Sequence, residues 1–274
     1  MNPIFKTVKN LFYRGLKPVS AALDLNLSVG VTAAEVREFL KKLHPVNPGI
    51  ELIRVGPKGD GGYLVPNDLE GLTACFSPGV DLESRFELEL AEKGLEIFMA
   101  DYSIEKPMID HPKFHFSKKF LGGDDSGNYM RLDTWASQSL PPEDQSDLLL
   151  QMDIEGYEYD SILSLSRPLL DRFRIIVIEL HELERLYDRY FFDQFSRVFE
   201  KLLVSHSVVH LHPNNNFRRK RRKGIEIHPL LEITLLRKDR FHSSEYVTDF
   251  PHPLDEPNLN RVDAPLGKDW YRAK

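Results

Sequence analysis

Only one cysteine occurs in 274 residues, which excludes an internal disulfide and leaves packing to hold the fold. Cys75 sits in the apolar stretch Thr73 to Phe76, where it reads as a small packed side chain rather than a nucleophile. Long apolar runs are also missing. None approaches the roughly 18 residues of a membrane-crossing helix, and the amino terminus shows neither the apolar core nor the cleavage site of a secretory signal. Cytoplasmic residence is the expectation. A net charge of -6 removes the positive balance that a general nucleic-acid binder needs. Internal repeats are absent, and so is the three-glycine turn that seats a dinucleotide pyrophosphate.

What is present suffices for a large core: 41% of residues are hydrophobic and 28% charged, the balance of a globular chain. Residues 1 to 30 set Lys6, Lys9, Arg14 and Lys17 among Phe5, Leu11, Phe12 and Leu16. That pattern fits a short basic amphipathic helix, packed on its own domain or a partner subunit, with peripheral membrane contact as the alternative. Thr32 and Glu35 form a capping-box signature ahead of the stripe Val36, Phe39, Leu40 and Leu43, which ends before Pro45.

From Glu51 the text alternates strand and helix signals. Glu51 to Val55, the turn Gly59 to Gly62 and Tyr63 to Val65 predict a hairpin. Strands are then expected at Leu72 to Phe76, Glu96 to Ala100, Lys113 to Ser117, Leu148 to Met152, Ile175 to Leu180, Ser207 to His212 and Leu230 to Leu236. A helix capped by Asp81 or Ser84 and closed by Gly94 separates the first two, and a long helix is expected over about 182 to 203. Strands separated by helices give a parallel sheet, while the last two strands lack a helical pattern between them and can pair antiparallel.

Chemistry is marked most sharply in Leu148 to Glu158, where an apolar strand ends in Asp153, Glu155 and Glu158. Open α/β sheets bind ligands at the carboxyl ends of their strands. Capping of the next helix would explain one acid, not three. Upstream, Ser77-Pro-Gly79-Val-Asp81 follows the first strand and Asp101 ends the second. This is the layout of a nucleoside-binding half-domain: Gly79 lets the backbone approach the ligand and Asp101 accepts the ribose hydroxyls, with Ser77 a further candidate contact. One glycine in place of three suits a nucleoside without phosphates, such as S-adenosylmethionine, better than a dinucleotide.

The segment Leu150-Gln-Met-Asp-Ile-Glu-Gly-Tyr-Glu158 resembles the K-x-D-I-E-G-x-E core of the FkbM-type S-adenosylmethionine-dependent methyltransferases. Phe76 to Val80, Leu132 to Thr134, Ile178 to His181, Arg54 to Tyr63, His210 to Asn215 and Pro251 to Asp255 are similar to other segments of that family, so the likeness covers most of residues 50 to 256. Gln151 departs from it at a usual Lys, and Pro78 makes the first turn atypical. The resemblance implies a class I methyltransferase fold: α/β, Rossmann-like, a seven-stranded mostly parallel sheet with an antiparallel last strand and helices on both faces. It divides the chain into a helical extension at 1–48, the methyltransferase domain at 49–256 and a tail at 257–274. It also implies O-methylation of a sugar hydroxyl on a surface polysaccharide or its precursor, and it adds Asp60 to the cofactor pocket.

Methyl transfer to an alcohol requires in-line approach and removal of a proton that is barely acidic at neutral pH. Asp153 and Glu155 are the expected acids at the reacting centre, and His181 is the better base candidate. Asp153 and Glu179, on neighbouring strand ends, with His212, would suit Mg2+ or Mn2+. The competing reading has Asp153 and Glu155 bind the cofactor amine and acceptor hydroxyls without metal. His210 and His212 alternate with apolar residues and are read as a solvent-side pair which, with Asn214 and Asn215, contacts the acceptor. The run Arg218 to Lys223, with Arg218 and Arg219 nearest those asparagines, is expected to be a loop that binds a phosphate-linked or anionic carbohydrate. A homo-oligomer is compatible with this reading. Two rivals stay open: a non-catalytic glycan-assembly subunit of the same fold, and an NAD-dependent nucleotide-sugar enzyme.

Overall fold

The computed structural model describes residues 30–272, and the basic helix expected at the amino terminus lies outside them up to residue 29. Helix α1 (Ala33–Leu40) starts at the predicted capping box: Thr32 Oγ1 accepts from Glu35 N at 3.2 Å, and Glu35 Oε2 accepts from Thr32 N at 2.8 Å. The hairpin follows as β1 (Leu52–Val55) and β2 (Tyr63–Pro66), paired from Val55 opposite Tyr63 to Leu52 opposite Pro66. Next come β3 (Leu72–Pro78), α2 (Arg85–Glu92), β4 (Glu96–Ala100), β5 (Phe114–Ser117) and the short parallel pair β6 (Phe120–Leu121) and β7 (Tyr129–Met130). Then follow α3 (Leu132–Ser139), β8 (Asp147–Met152), α4 (Glu158–Ser164), α5 (Arg167–Leu170) and β9 (Phe173–Leu180). The chain closes with α6 (Arg189–Leu202), β10 (His206–Pro213), β11 (Lys220–Arg222), β12 (Ile225–Ile227) and β13 (Leu231–Arg237).

Seven strands form the central sheet in the order β10-β13-β9-β8-β3-β4-β5. The pairs from β9 to β5 are parallel, and β13 runs antiparallel to both β9 and β10. This is the α/β, Rossmann-like class I arrangement expected, with the last strand inverted. Strand order reverses between β3 and β8, which opens a crevice at their carboxyl ends. Alternate residues serve opposite faces: Leu148, Leu150 and Met152 pack with α1, α3, α4 and α6, whereas Leu149 joins α2 and the β1–β2 hairpin.

Two expectations change. The helix predicted from about 182 begins only at Arg189, where the Asp188 side chain accepts from Tyr190 N and Phe191 N; Glu182 before it is left-handed (φ 59°). Leu183, Leu186 and Tyr187 are buried from a short 3-10 turn at Leu183–Arg185 and the residues that follow it, and Tyr190, in the first turn of α6, is exposed. The basic run is not an open loop, because β11 pairs with β12. The described parts of the 1–48 extension and the 257–274 tail belong to the main core: Val31, Phe39, Leu266 and Trp270 pack in one cluster with the sheet. Among the described residues no helix is long and apolar enough to cross a membrane.

Candidate functional site

The turns leaving β3 and β8 touch. Gly79 N donates to Ala100 O and Asp153 N to Pro78 O, at 2.9 and 3.3 Å. Gly79 has φ 84°, and a Cβ there would lie 1.5 Å from Asp153 O, so the position admits only glycine. Beyond Asp153 the chain reverses through Glu155 (φ 55°) and Gly156 (φ 100°). The fully buried Glu158 braces that turn: its Oε1 accepts from Ile154 N at 3.0 Å and Gly156 N at 3.2 Å, and lies 3.0 Å from His181 Nδ1. Tyr159 donates its hydroxyl to His181 O at 2.5 Å.

His181 Nε2 is thereby aimed at Glu155 Oε2, 3.2 Å away, and Asp153 Oδ1, 3.7 Å away. These three side chains each offer a ligand atom within 4.8 Å of the others. Burial lowers the affinity of His181 for a proton, but Glu158, through its hydrogen bond and charge, and then Asp153 and Glu155 outweigh it and push the imidazole up to about 9. Burial and then the charge of Glu179 push Asp153 well above the usual carboxylate range. Glu179 itself is pushed up to about 8 by burial and by Glu232, against the Asn214 amide that donates to it at 2.7 Å.

Two clefts meet here. The first, of about 470 Å³, runs past Gly79, Asp101, Ser103, Phe120 and Gln151; the second, of about 460 Å³, runs past Glu179, His181, Glu184, Asn214 and Phe217. Asp60, Asp153 and Glu155 form their common wall. Among the described residues, neither cleft has a lysine or arginine in its lining.

Asp101 stands at the end of β4 as expected, with Oδ2 accepting from Asp81 N at 3.0 Å and Oδ1 from Ser103 N and Oγ at 2.7 Å each. Ser77 does not reach the first cleft. It is buried, with Oγ 2.5 Å from Glu87 Oε1 and 2.7 Å from Gln151 Oε1. One hydroxyl proton cannot serve two acceptors. The conflict is relieved when Glu87 carries a proton, in line with burial pushing that carboxyl up to about 7. Gln151 completes the network by donating to the Tyr63 hydroxyl at 3.3 Å.

The expected metal set, Asp153, Glu179 and His212, does not assemble. His212 is buried with both ring nitrogens occupied, Nδ1 3.1 Å from Glu232 and Nε2 3.2 Å from Asp263. Glu155 and His181 join Asp153 instead. The histidine pair does not face solvent either, because residues 249 to 263 cover it: His210 Nε2 lies 2.8 Å from Asp255, and its ring stacks on Phe250. Asn215 ties the tail down, donating to the carbonyls of Leu259, Arg261 and Val262 and accepting from Leu259 N. Of the acceptor candidates only Asn214 lines either of these two clefts. Arg218 and Arg219 lie outside both, and Arg219 pairs with Glu226 at 3.2 Å. Periodicity gave no sign of Glu87, Tyr129 or Phe217, since their roles depend on contacts between distant turns, and it marked Glu158 as an acid at the strand end without its bracing role.

No family model and no curated protein matches the chain, so the FkbM-type likeness rests on the motifs quoted above. Among solved structures it is similar to a protein named provisionally as a methyltransferase from an antibiotic biosynthesis pathway of Anabaena variabilis ATCC 29413. The two share 13% identity over 67% of each chain, with a TM-score of 0.28.

Proposed function

We propose that this chain is an S-adenosylmethionine-dependent O-methyltransferase whose acceptor is a sugar hydroxyl of a surface polysaccharide or its precursor. The observation that carries the reading is the meeting of two clefts at Asp153 and Glu155, which lets a donor and an acceptor approach one point from separate sides. The first cleft suits the donor. It sets Asp101 where a ribose diol would sit and surrounds the remainder with Asp60, Asp81, Asp153 and Glu155, without a cation among the described residues. A sulfonium and an ammonium group are favoured there, and a pyrophosphate is not. The motif likeness to the FkbM-type enzymes supports the same donor.

The residues divide the work. Asp101 orients the ribose, Asp153 and Glu155 hold the donor amine and the acceptor hydroxyl in line, and His181 supplies hydrogen-bonding charge at the junction. Glu155, the most exposed of the three at 86%, can accept the proton that leaves the hydroxyl and pass it to solvent. The donor set also fits Mg2+ or Mn2+. Asp153 Oδ1 is closed to solvent without a hydrogen-bond partner, and Glu158 occupies Nδ1 of His181, leaving Nε2 to ligate. An ion held by Asp153, Glu155 and His181 would supply Lewis acidity toward the acceptor oxygen. The anionic or phosphate-linked part of an acceptor would lie outside the second cleft, where Asn216 and Phe217 lead to Arg218.

Thermal shift with S-adenosylmethionine, S-adenosylhomocysteine, NAD and UDP-sugars tests the donor: stabilisation by the first two is expected, and stabilisation by NAD alone would overturn the reading. Equilibrium dialysis with Mn2+ on wild type and Asp153→Ala tests the ion, and activity undiminished by chelator removes it.

A further inference from the structure

Four aromatic rings form an unbroken row, three of which, Phe120, Tyr129 and Tyr157, line the first cleft. Tyr102 lies 5.3 Å from Phe120, Phe120 lies 5.5 Å from Tyr129, and Tyr129 lies 5.2 Å from Tyr157, centroid to centroid. The last two hydroxyls are 3.0 Å apart, which joins the turn after β8 to β7. Tyr102 and Tyr157 are exposed, at 38% and 46%. The row is built rather than incidental: a Cβ on Gly122 would come within 2.9 Å of the Tyr129 ring, so glycine is what lets that ring lie flat against the backbone. Exposing so much contiguous aromatic surface is unfavourable unless something covers it.

The two ends of the row have different neighbours. Tyr102 directly follows Asp101, the ribose acid, whereas Tyr157 stands two residues after Glu155, at the junction with the second cleft. A donor seated with its ribose on Asp101 and its methyl group at Asp153 reaches the Tyr102 and Phe120 end with its base. Tyr129 and Tyr157 lie toward the reacting end.

We propose that Tyr129 and Tyr157 form a stacking platform for an uncharged pyranose ring of the acceptor glycan, a neighbour of the sugar that is methylated. The inference rests on the donor reading above. One face of a pyranose presents C–H groups that pack on an aromatic ring, and the tyrosine hydroxyls at the rim meet its hydroxyls. Charge selects the neutral sugar: carboxylates line both clefts and, among the described residues, no lysine or arginine does, so an anionic ring at this point is repelled.

The test uses the full chain with S-adenosylhomocysteine bound, applied to an array of neutral and anionic oligosaccharides, with donor affinity measured by calorimetry on the same preparations. Wild type is expected to retain neutral oligosaccharides. Tyr157→Ala and Tyr129→Ala should each weaken that retention about tenfold at unchanged S-adenosylhomocysteine affinity and unchanged melting temperature, and Tyr157→Phe should restore it. A wild type that does not bind S-adenosylhomocysteine overturns the donor reading. A wild type that binds it, but retains only anionic glycans or none, overturns the platform. So do alanine variants that retain neutral glycans as well as wild type, or that lose donor affinity, which would assign the rings to the donor base.

Discussion

Glu158 Oε1 and His181 Nδ1 face each other across 3.0 Å in the interior, and the same oxygen accepts two backbone N–H groups of the Ile154 to Gly156 turn. One carboxylate therefore sets both the turn that carries Glu155 and the ring that faces it. If the chain transfers methyl groups as proposed, Glu158→Gln should reduce that activity roughly 10- to 100-fold, the usual cost of removing a carboxylate that orients a functional histidine. S-adenosylhomocysteine affinity should stay within about twofold of wild type on that account, because Glu158 lines neither cleft. Steady-state kinetics with calorimetry checks both, and equal activity in the variant would refute the bracing role.

Gly79→Ala is expected to cost at least about 3 kcal/mol in urea unfolding, since it combines a left-handed backbone with a collision on Asp153 O. A variant as stable as wild type would mean that the two turns do not touch in solution.

The Ser77–Glu87 contact predicts a pH dependence of stability. The Glu87 carboxyl is raised to about 7 in the fold, against 4.5 ordinarily. The folded state therefore holds a proton that the unfolded chain has released, and stability falls as pH rises between those values. Glu87→Gln should flatten that fall. Melting temperatures of both proteins at about pH 5 and pH 8 decide it, and parallel slopes count against a protonated Glu87.

His212 makes a separate structural prediction. Raised from 6.5 to about 10 between Asp263 and Glu232, it contributes stability that is complete below its ordinary value and is lost as pH climbs to about 10. His212→Ala should cost roughly 3 kcal/mol, because two carboxylates lose their shared cation. Mn2+ affinity should not change. A weaker ion in that variant would restore His212 to the metal set.

Of the six cations at 218 to 223, four are already engaged. Arg219 and Lys220 pair with Glu226 and Glu184, while Arg222 and Lys223 lie over the Tyr187 ring. The double variant Arg218→Ser, Arg221→Ser should raise the acceptor KM about 3- to 10-fold at low salt and less at high salt, leaving the donor KM unchanged. An unaltered acceptor KM removes the anion-binding role of this strand.

Much of the sheet is legible in residue order because its strands are apolar runs bounded by glycines and acids; Glu96–Ala100 and the end of β8 at Met152 stand where punctuation places them. The start of α6 is not. Leu183, Leu186 and Tyr187 have helical spacing yet pack from a turn, and the Asp188 cap is recognisable only once Tyr190 N and Phe191 N are seen to point at it. Alternation in β10 sets His210 and His212 on one side, but what covers that side comes from Asp255 and Asp263, 45 and 51 residues further on. Adjacency of β8 and β9 brings His181 toward Asp153. Glu155 takes the place assigned to Glu179 because a positive φ, unreadable in composition, swings it across the strand end.

Asn258 donates one amide to both Asp60 and Glu232, at 3.2 and 2.6 Å. Asp60, on the wall shared by both clefts, thus gains its partner from a residue 198 positions later. During synthesis on the ribosome the hairpin and most of the sheet emerge long before that amide does. A nascent or prematurely terminated chain would then carry the acids without the strut that positions them, and competence would arrive only with the closing segment.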